Sequence, residues 1–208
     1  MLALDHVIYV VRDLDVAARR IRFELGLDSY PGGEHAGMGT HNRVVPVGGN
    51  QYVELMATKD AEAAATHPFA ALIDGWAAQG ERLRTWCLAT DDIDAVGRRL
   101  GLEAAAWSRE RPDGVQLRWR LCGVEQSNAD PSLPFFIQWD VPTEQHPSGG
   151  AVSHTVEPQG FAWLEVGGDA GRIATWTDGA DLPIRVVDAD EGPRAVGIQT
   201  PDGEVVLR

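Results

Sequence analysis

Residues 4–28, LDHVIYVVRDLDVAARRIRFELGLD, contain a strand followed by a helix. The apolar run at residues 7–11 has the length of a buried strand, and apolar residues then recur at helical spacing between residues 14 and 25. Asp13 is placed to cap the N terminus of this helix, and Gly26 suits the left-handed residue that ends one. We therefore predict a strand, a short connection and a helix at the start of the fold.

The pattern returns at residues 83–103, LRTWCLATDDIDAVGRRLGLE. A short apolar run again leads to an acidic capping residue, Asp92, and then to a shorter helix with apolar residues at positions 93, 96 and 100. Gly101 stands where Gly26 stands in the first stretch. This repetition indicates two copies of one structural unit.

Strand-like runs follow both helices. In the first copy they are residues 43–47 and 51–56, joined by the turn Gly48-Gly49-Asn50, and in the second copy they are residues 115–121 and 134–140. We interpret each copy as a unit of the order β-α-β-β-β, in which these runs locate two of the three strands after the helix. The tail, residues 161–208, predicts a third and abbreviated unit of the same order.

These units divide the chain into four parts. We place the first unit at residues 1–60, a connecting helix within residues 61–81, the second unit at 82–147 and the third at 148–208. The proline- and glycine-rich link from 143 to 160 marks the last boundary. The predicted fold class is α+β.

Composition limits the possible functions. Acidic residues outnumber Lys plus Arg by 31 to 18, and the net charge of −13 argues against a nucleic-acid partner, because clustered cations supply that affinity. The apolar run at residues 7–11 is too short to span a membrane, and no basic leader precedes it. Cys87 and Cys122 match no metal or redox spacing. We expect a cytoplasmic protein that binds a small molecule.

Four segments carry a resemblance to a known family. They are Leu4-Asp5-His6-Val7, Tyr52-Val53-Glu54-Leu55, the glycine-rich residues 33–43, GEHAGMGTHNR, and residues 134–139, PFFIQW. Together they resemble the glyoxalase-like domain family of the vicinal-oxygen-chelate (glyoxalase/bleomycin resistance/dioxygenase) superfamily. Over about residues 1–147, the resemblance implies paired β-α-β-β-β units that curve around one cleft. It also implies metal ligands on the first and last strands of each unit.

In the first unit these positions are His6 and Glu54, and we assign the catalytic role to Glu54. An imidazole beside a carboxylate suits Zn²⁺, Ni²⁺, Fe²⁺ or Mn²⁺. A catalytic metal usually has three protein ligands, and His35, His41 and His146 are candidates for the third. The alternative is a hydrogen-bonded pair of His6 and Glu54 without a metal.

The second unit offers weaker ligands. Alignment of the two helix starts places Thr85 at the position of His6, and alignment of the last strands places Gln138 at the position of Glu54. A hydroxyl and an amide are poorer metal ligands than an imidazole and a carboxylate. We therefore expect Gln138 to contact the substrate, and we do not expect a complete glyoxalase I site.

The glycine-rich loop, residues 32–39, has two interpretations. Its glycines allow a ligand to approach the backbone closely, with His35, Thr40 and Asn42 offering hydrogen bonds to it. Alternatively, it is an ordinary connection before a strand. The family resemblance favours a loop that lines the cleft.

Two arginines on one strand are candidates for binding an anion. By strand alternation Arg118 and Arg120 share a face, opposite the apolar Trp119. If the polar face lines the cleft, the arginines bind a carboxylate or phosphate through paired hydrogen bonds. The alternative is a solvated face on which they pair with surface acids.

Three functions remain open. The first is a metal-dependent lyase, isomerase or dioxygenase-type enzyme acting on a small oxygenated anion, and the second is a metal-free protein that sequesters a small molecule. The third is a structural module whose cleft is filled by its own side chains. The unpaired edge of the third unit predicts either packing on the first two units or a homodimer.

Overall fold

The computed structural model describes residues 1–35 and 37–208, and Ala36, within the glycine-rich motif, lies outside the described residues. The first unit comprises β1 (Leu2–Val10), α1 (Leu14–Leu25), β2 (Tyr30–His35), β3 (Thr40–Gly48) and β4 (Gln51–Thr58). Two helices, α2 (Ala61–Thr66) and α3 (Pro68–Ala78), connect it to the second unit. The predicted connecting helix is present as α3, and α2 is additional.

The second unit contains β5 (Arg82–Thr90), α4 (Ile93–Leu100), β6 (Ala105–Glu110), β7 (Gln116–Cys122), α5 (Val124–Ala129) and β8 (Phe135–Trp139). Two short 3₁₀ helices, Thr143–Gln145 and Pro147–Gly149, lie in the link. The third unit contains β9 (Phe161–Gly167), α6 (Ala170–Trp176), β10 (Ile184–Val187), β11 (Gly192–Thr200) and β12 (Gly203–Leu207). The sequence located neither β2 nor β6.

The helix-capping residues take the roles that the sequence predicts. The Asp13 side chain accepts hydrogen bonds from two backbone N–H groups at the start of α1, and Asp92 accepts one at the start of α4. Gly26 and Gly101 end these helices in the left-handed conformation, with φ of 71° and 69°. The two helices therefore begin and end at equivalent points of the two units.

The first two units form one eight-stranded sheet, in the order β2-β3-β4-β1-β5-β8-β7-β6. The antiparallel pair β1 and β5 joins the halves, with His6 opposite Cys87 and Ile8 opposite Thr85. This register relates the units by a local twofold axis, which makes Thr85 the counterpart of His6, as the helix alignment predicts. The paired-unit α+β fold is confirmed.

The third unit packs on the helix-covered face of the large sheet. Leu164, Val196 and Ile198 belong to the same apolar core as residues of β1, α1 and β5. Its element order is β-α-β-β-β as predicted, but its first strand, β9, pairs in parallel with β10. In the first unit, β1 instead pairs in parallel with β4. The homodimer and the four domain boundaries stay predictions.

No helix in the described part of the chain combines the length and the apolar character that crossing a membrane requires. The cytoplasmic location stays a prediction.

Candidate functional site

The curved eight-stranded sheet surrounds a cavity of about 660 Å³. This volume contradicts a cleft filled by its own side chains, and it lies within the usual range of small-molecule sites. The polar side chains around Glu54 come from the first unit and the edge strand β6: His6, His35, Asn42, Tyr52, Glu54 and Arg109. Further polar residues of the lining are His67, Thr85, Glu103, Glu125, Gln126 and Asn128. The second unit and α3 supply most of the apolar wall, including Phe69, Trp107, Trp119, Leu121, Phe135, Ile137 and Trp139.

A β-bulge in β1 places Asp5 beside His6. Between Leu4 and His6, β1 advances by two residues while β5 advances by one, so Asp5 is the extra residue. Both side chains are buried at 3% exposure, and His6 Nδ1 lies 2.6 Å from Asp5 Oδ1. The imidazole is therefore held in a fixed orientation by a carboxylate.

Asp5 also accepts hydrogen bonds from a second direction. Its Oδ2 lies 3.1 Å from Trp139 Nε1 and 3.2 Å from His146 Nε2, while His146 Nδ1 accepts from the backbone N–H of Ser148. Burial alone raises the pKa of Asp5, but the hydrogen bonds from His146 and His6 outweigh it and hold this pKa at about 2. The anionic Asp5 can only accept hydrogen bonds, so His6 must carry a proton on Nδ1 to donate to it. In the neutral ring Nε2 then carries no proton.

Glu54 lies at the end of the imidazole opposite Asp5. One carboxylate oxygen, Oε1, accepts a hydrogen bond of 2.5 Å from Asn42 Nδ2. The other, Oε2, is 3.8 Å from His6 Nε2. Tyr52 stacks on the His6 ring at 4.6 Å between centroids, which fixes the ring further. Strand alternation thus brings His6 and Glu54 together, as predicted.

Of the three candidate third ligands, His35 faces Glu54. Its Nε2 is 3.8 Å from Glu54 Oε1, and its Nδ1 lies 2.9 Å from Thr40 Oγ1. Burial lowers the pKa of His35 to about 4, so the ring is neutral and its nitrogen can bind a metal at neutral pH. His146 contacts Asp5 instead, and His41 does not line the cavity.

The donor chemistry of His6, His35 and Glu54 fits a divalent metal, because two neutral imidazoles and a carboxylate are ligands of Fe²⁺, Mn²⁺ or Zn²⁺. Among the described residues, the tightest cluster of His, Cys, Asp and Glu ligand atoms, all within 4.8 Å of one another, is instead Asp5, His6 and Cys87. That cluster suits a metal less well: burial raises the pKa of the Cys87 thiol well above its ordinary value, and both Asp5 oxygens already accept hydrogen bonds.

The second unit contributes no such ligands. Glu54 pairs with Ile8 across β1 and β4, and at the equivalent point of β5 and β8 Cys87 pairs with Phe135. Phe135 is therefore the counterpart of Glu54, which corrects the alignment that assigned Gln138. Gln138 lies on the opposite face of β8, where its side-chain oxygen accepts a hydrogen bond from the backbone N–H of Ile93, and it does not line the cavity.

Arg118 and Arg120 also lie outside the cavity, which corrects their expected placement. Their alternation on β7 is as predicted, but the opposite face, with Trp119, lines the cavity. Arg120 pairs with Asp94 at 3.1 Å and Asp140 at 3.3 Å on the outer face. The alternative of a solvated face therefore describes both residues: Arg118 is exposed, and Arg120 pairs with the surface acids.

The glycine-rich segment is partly a strand, since β2 extends to His35. His35 and Met38 line the cavity, as does Asn42 from β3. Thr40 is 1% exposed and contacts the cavity only through His35. A segment that lines the cleft is thus observed, with Thr40 in a supporting position.

Two residues of the site were not expected from the sequence. Arg109, on the edge strand β6, reaches Asn42 on β3 and is 7% exposed. Asp5 is the second, and the sequence signal that could have identified it is an acid beside a histidine in an otherwise apolar strand. For Arg109 the sequence offers no such signal, because the alternation of side chains along β6 does not distinguish a residue of the site from a surface residue on an edge strand.

The family model described as "Glyoxalase-like domain" matches residues 4–179 of the chain. The comparison of this chain with curated proteins found no match. A crystal structure of a hypothetical protein from Staphylococcus aureus is similar, with a TM-score of 0.68 and 18% identity, over 92% of this chain and 88% of that one. This likeness shows the fold alone.

Methylmalonyl-CoA epimerases are among the other similar structures. The Mycobacterium tuberculosis enzyme has a TM-score of 0.47 and 22% identity, over 67% of this chain and 89% of that one. A variant of the Streptomyces coelicolor enzyme, in complex with 2-nitronate-propionyl-CoA, has a TM-score of 0.47 and 17% identity over 67% and 97%.

Proposed function

The chain belongs to the glyoxalase-like domain family, and we propose that it is a metal-assisted isomerase or lyase that moves a proton next to a carbonyl group of a small oxygenated substrate. The observation that supports this most is the orientation of His6. Its Nδ1 is 2.6 Å from the anionic Asp5, and its Nε2 is turned toward Glu54 inside the cavity. A histidine whose Nδ1 is held by a carboxylate, with its Nε2 free toward the cavity, is typical of metal ligands.

His6, Glu54 and His35 would hold the metal, which would polarise the carbonyl oxygen of the substrate and so acidify the neighbouring C–H group. Asp5 fixes the tautomer of His6, and Thr40 restrains His35 through its Nδ1. These contacts prepare both imidazoles before any ligand binds.

Glu54 is the group that takes up the proton. Asn42 donates to Oε1, which fixes the carboxylate and leaves Oε2 facing His6 without a protein hydrogen bond among the described contacts. The carboxylate is 7% exposed, so the proton is transferred with little competing water. The aromatic residues of the second unit make much of the remaining cavity surface apolar.

The second candidate is a metal-free protein that sequesters an apolar small molecule. It is favoured by one observation: the positions equivalent to His6 and Glu54 in the second unit are Thr85 and Phe135. Half of the ligand positions that the family resemblance implies therefore carry no strong ligand.

Elemental analysis of untagged protein separates the two candidates. The protein is incubated with Mn²⁺, Fe²⁺, Ni²⁺ and Zn²⁺ in turn, and the parent is compared with His6→Ala, Glu54→Ala and His35→Ala. His41→Ala is the matched control, because it removes a histidine that does not line the cavity. We expect near-stoichiometric metal in the parent and the control, and loss in the other three variants.

Turnover is measured by NMR as deuterium uptake from D₂O at the carbon next to the carbonyl, in a panel of 2-oxo acids. We expect Glu54→Gln to slow this exchange by about 100-fold or more, because an amide can neither take up the proton nor bind the metal as a carboxylate does. Metal in the parent without exchange of any panel member would overturn the proton transfer. Absence of metal under all four conditions would overturn the metal-assisted enzyme in favour of the binding protein.

A further inference from the structure

Arg109 is a buried cation of the cavity that the proposed function leaves without a role. It lies on β6, is 7% exposed and lines the same cavity as His6 and Glu54. A buried charge is costly unless it is paired and hydrogen-bonded. The partners of this guanidinium therefore indicate what the cavity binds.

The described residues satisfy little of its hydrogen-bonding capacity. Nη1 donates to Asn42 Oδ1, while Nε is buried without a partner. No carboxylate among residues 1–35 and 37–208 lies within 4.0 Å of its nitrogen atoms. A guanidinium carries five N–H donors in a planar fork that matches a carboxylate.

A second buried arginine shows what a structural role looks like in this protein. Arg84 is 6% exposed, and its Nε is also buried without a partner among the described residues. Its Nη2, however, donates to the carbonyl oxygens of Trp76 and Gly80 near the end of α3, at 2.7 Å and 3.2 Å. It does not line the cavity. Arg84 thus ties a helix end to a strand, whereas Arg109 makes its single described hydrogen bond to a side chain of the site.

Asn42 links the cation to the proposed base. Its oxygen accepts from Arg109 and its nitrogen donates to Glu54, so one amide separates the two charges. A ligand carboxylate next to Glu54 would be repelled by it, whereas beside Arg109 it meets a cation. The two ends of the polar cluster therefore suit different groups of one ligand.

The rest of the cavity surface is mainly apolar and aromatic, although His67, Thr85, Glu103, Glu125, Gln126 and Asn128 also belong to the lining. Trp107 lies two residues before Arg109 on the same face of β6, and Trp119 and Trp139 stand 5.5 Å apart between ring centroids on β7 and β8. Phe135 continues this wall. Surfaces of this kind bind flat apolar groups.

We propose that Arg109 binds the carboxylate of an aryl-substituted carboxylic acid, whose apolar part lies against the tryptophan wall. This inference deepens the proposed function and rests on the same cavity, because it assigns the substrate class of that site. It is tested by binding alone, without metal and without turnover, so that its failure and the failure of the proposed function are distinguishable.

The experiment is calorimetric titration of metal-stripped protein with 4-phenylbutanoate, its neutral amide 4-phenylbutanamide, and butanoate. We expect the parent to bind the phenyl acid at least tenfold more tightly than the amide, and more tightly than butanoate. Arg109→Gln is expected to abolish the preference for acid over amide, while Arg109→Lys retains part of it. Arg118→Gln is the matched control and should leave all three affinities unchanged, because Arg118 is exposed outside the cavity.

Equal binding of acid and amide by the parent, or binding of neither, would overturn the proposal even if the metal analysis succeeds. An unchanged preference in folded Arg109→Gln, checked by circular dichroism, would also overturn it. If Arg109→Gln does not fold, the parent's comparison of acid with amide and the Arg109→Lys titration decide the outcome. A tenfold preference in the parent that weakens in Arg109→Lys supports the assignment.

Discussion

The first and second units have the same architecture and opposite chemistry at the cavity. The local twofold axis relates His6 to Thr85 and Glu54 to Phe135. Even the strand irregularities correspond: one follows Leu4 in β1, and the other adds a residue to β5 immediately before Thr85. At these equivalent positions, matching backbones therefore present a histidine and a carboxylate in the first unit and a threonine and an aromatic ring in the second.

The two bulges show how a shared backbone feature takes different roles. In β1 the extra residue is Asp5, which orients His6. In β5 it is Arg84, which donates to backbone carbonyl oxygens near the end of α3, while Thr85, the counterpart of His6, forms its side-chain hydrogen bond with Ser127. A duplicated fold can thus carry the histidine and the carboxylate in one unit alone, while the equivalent residues of the other unit, Thr85 and Phe135, add a hydroxyl and an aromatic ring to the cavity lining.

The largest expected effect on stability comes from placing a carboxylate in the second unit, at the position equivalent to Glu54. Phe135→Glu buries a charge at a position that is 7% exposed and removes an aromatic ring from the core. We expect a loss of at least about 4 kcal/mol in the free energy of unfolding, measured with urea at pH 7. Phe135→Leu, the apolar control, should cost about 1–2 kcal/mol.

A cost no greater than that of Phe135→Leu would show that the apolar wall tolerates a carboxylate. Stability would then not explain why the second unit carries Phe135 where the first unit carries Glu54.

A smaller loss, of about 3 kcal/mol in the free energy of unfolding, is expected when the pH falls from 6.5 to 4. The pKa of His35 is about 4 in the folded protein against 6.5 for the free side chain, because burial disfavours the imidazolium. Between pH 6.5 and 4 the unfolded chain takes up a proton that the folded chain does not, so stability falls as pH falls through this window. Above pH 6.5 this contribution to stability is fully present.

The measurement compares urea unfolding of metal-stripped parent and His35→Asn from pH 7.5 to 4. Burial also lowers the pKa values of His41 and His154, so the difference between the two proteins isolates His35. Parallel curves would contradict a neutral, buried His35 and weaken its assignment as a ligand.

The smallest of the three effects comes from Gly32 on β2, where this strand approaches Arg109 on β6 at the other edge of the sheet. A Cβ atom at Gly32 would clash with Asn42 Oδ1 and would lie 2.7 Å from Arg109 Nη1. We expect Gly32→Ala to cost about 2 kcal/mol through this overpacking. Gly75→Ala, in α3 with open space around it, should instead stabilise the protein by about 0.5–1 kcal/mol. Both are measured as shifts in urea midpoint, and a harmless Gly32→Ala would mean that Arg109 is not confined there.

Local signals predicted much of the fold. Asp13 and Gly26 bound α1 as expected, and period-two alternation brought His6 and Glu54 onto one face. The assignment of Gln138 failed because strand ends, which were used for alignment, shift by a few residues, whereas the pairing of Cys87 with Phe135 fixes the true register.

The rest of the site depends on long-range geometry that periodicity does not encode. Alternation alone would send Asp5 to the face opposite His6, and the bulge reverses this. The position of Arg109 follows from sheet curvature, which brings the edge strand β6 toward Gly32 on β2 and Asn42 on β3. Neither feature is visible in the spacing of residues along one strand.

The hydrogen bond between His146 and Asp5 has a consequence for the order of folding. It joins residues 141 positions apart, and His146 belongs to the link that follows the second unit. Contacts of such large sequence separation form late, because the intervening chain loses its freedom first. Asp5 therefore gains its full set of donors only after both units have been synthesised and paired. A ribosome-bound chain that ends before the link would carry His6 and Glu54 without the hydrogen bond from His146, so the network around His6 is complete only in the nearly finished fold.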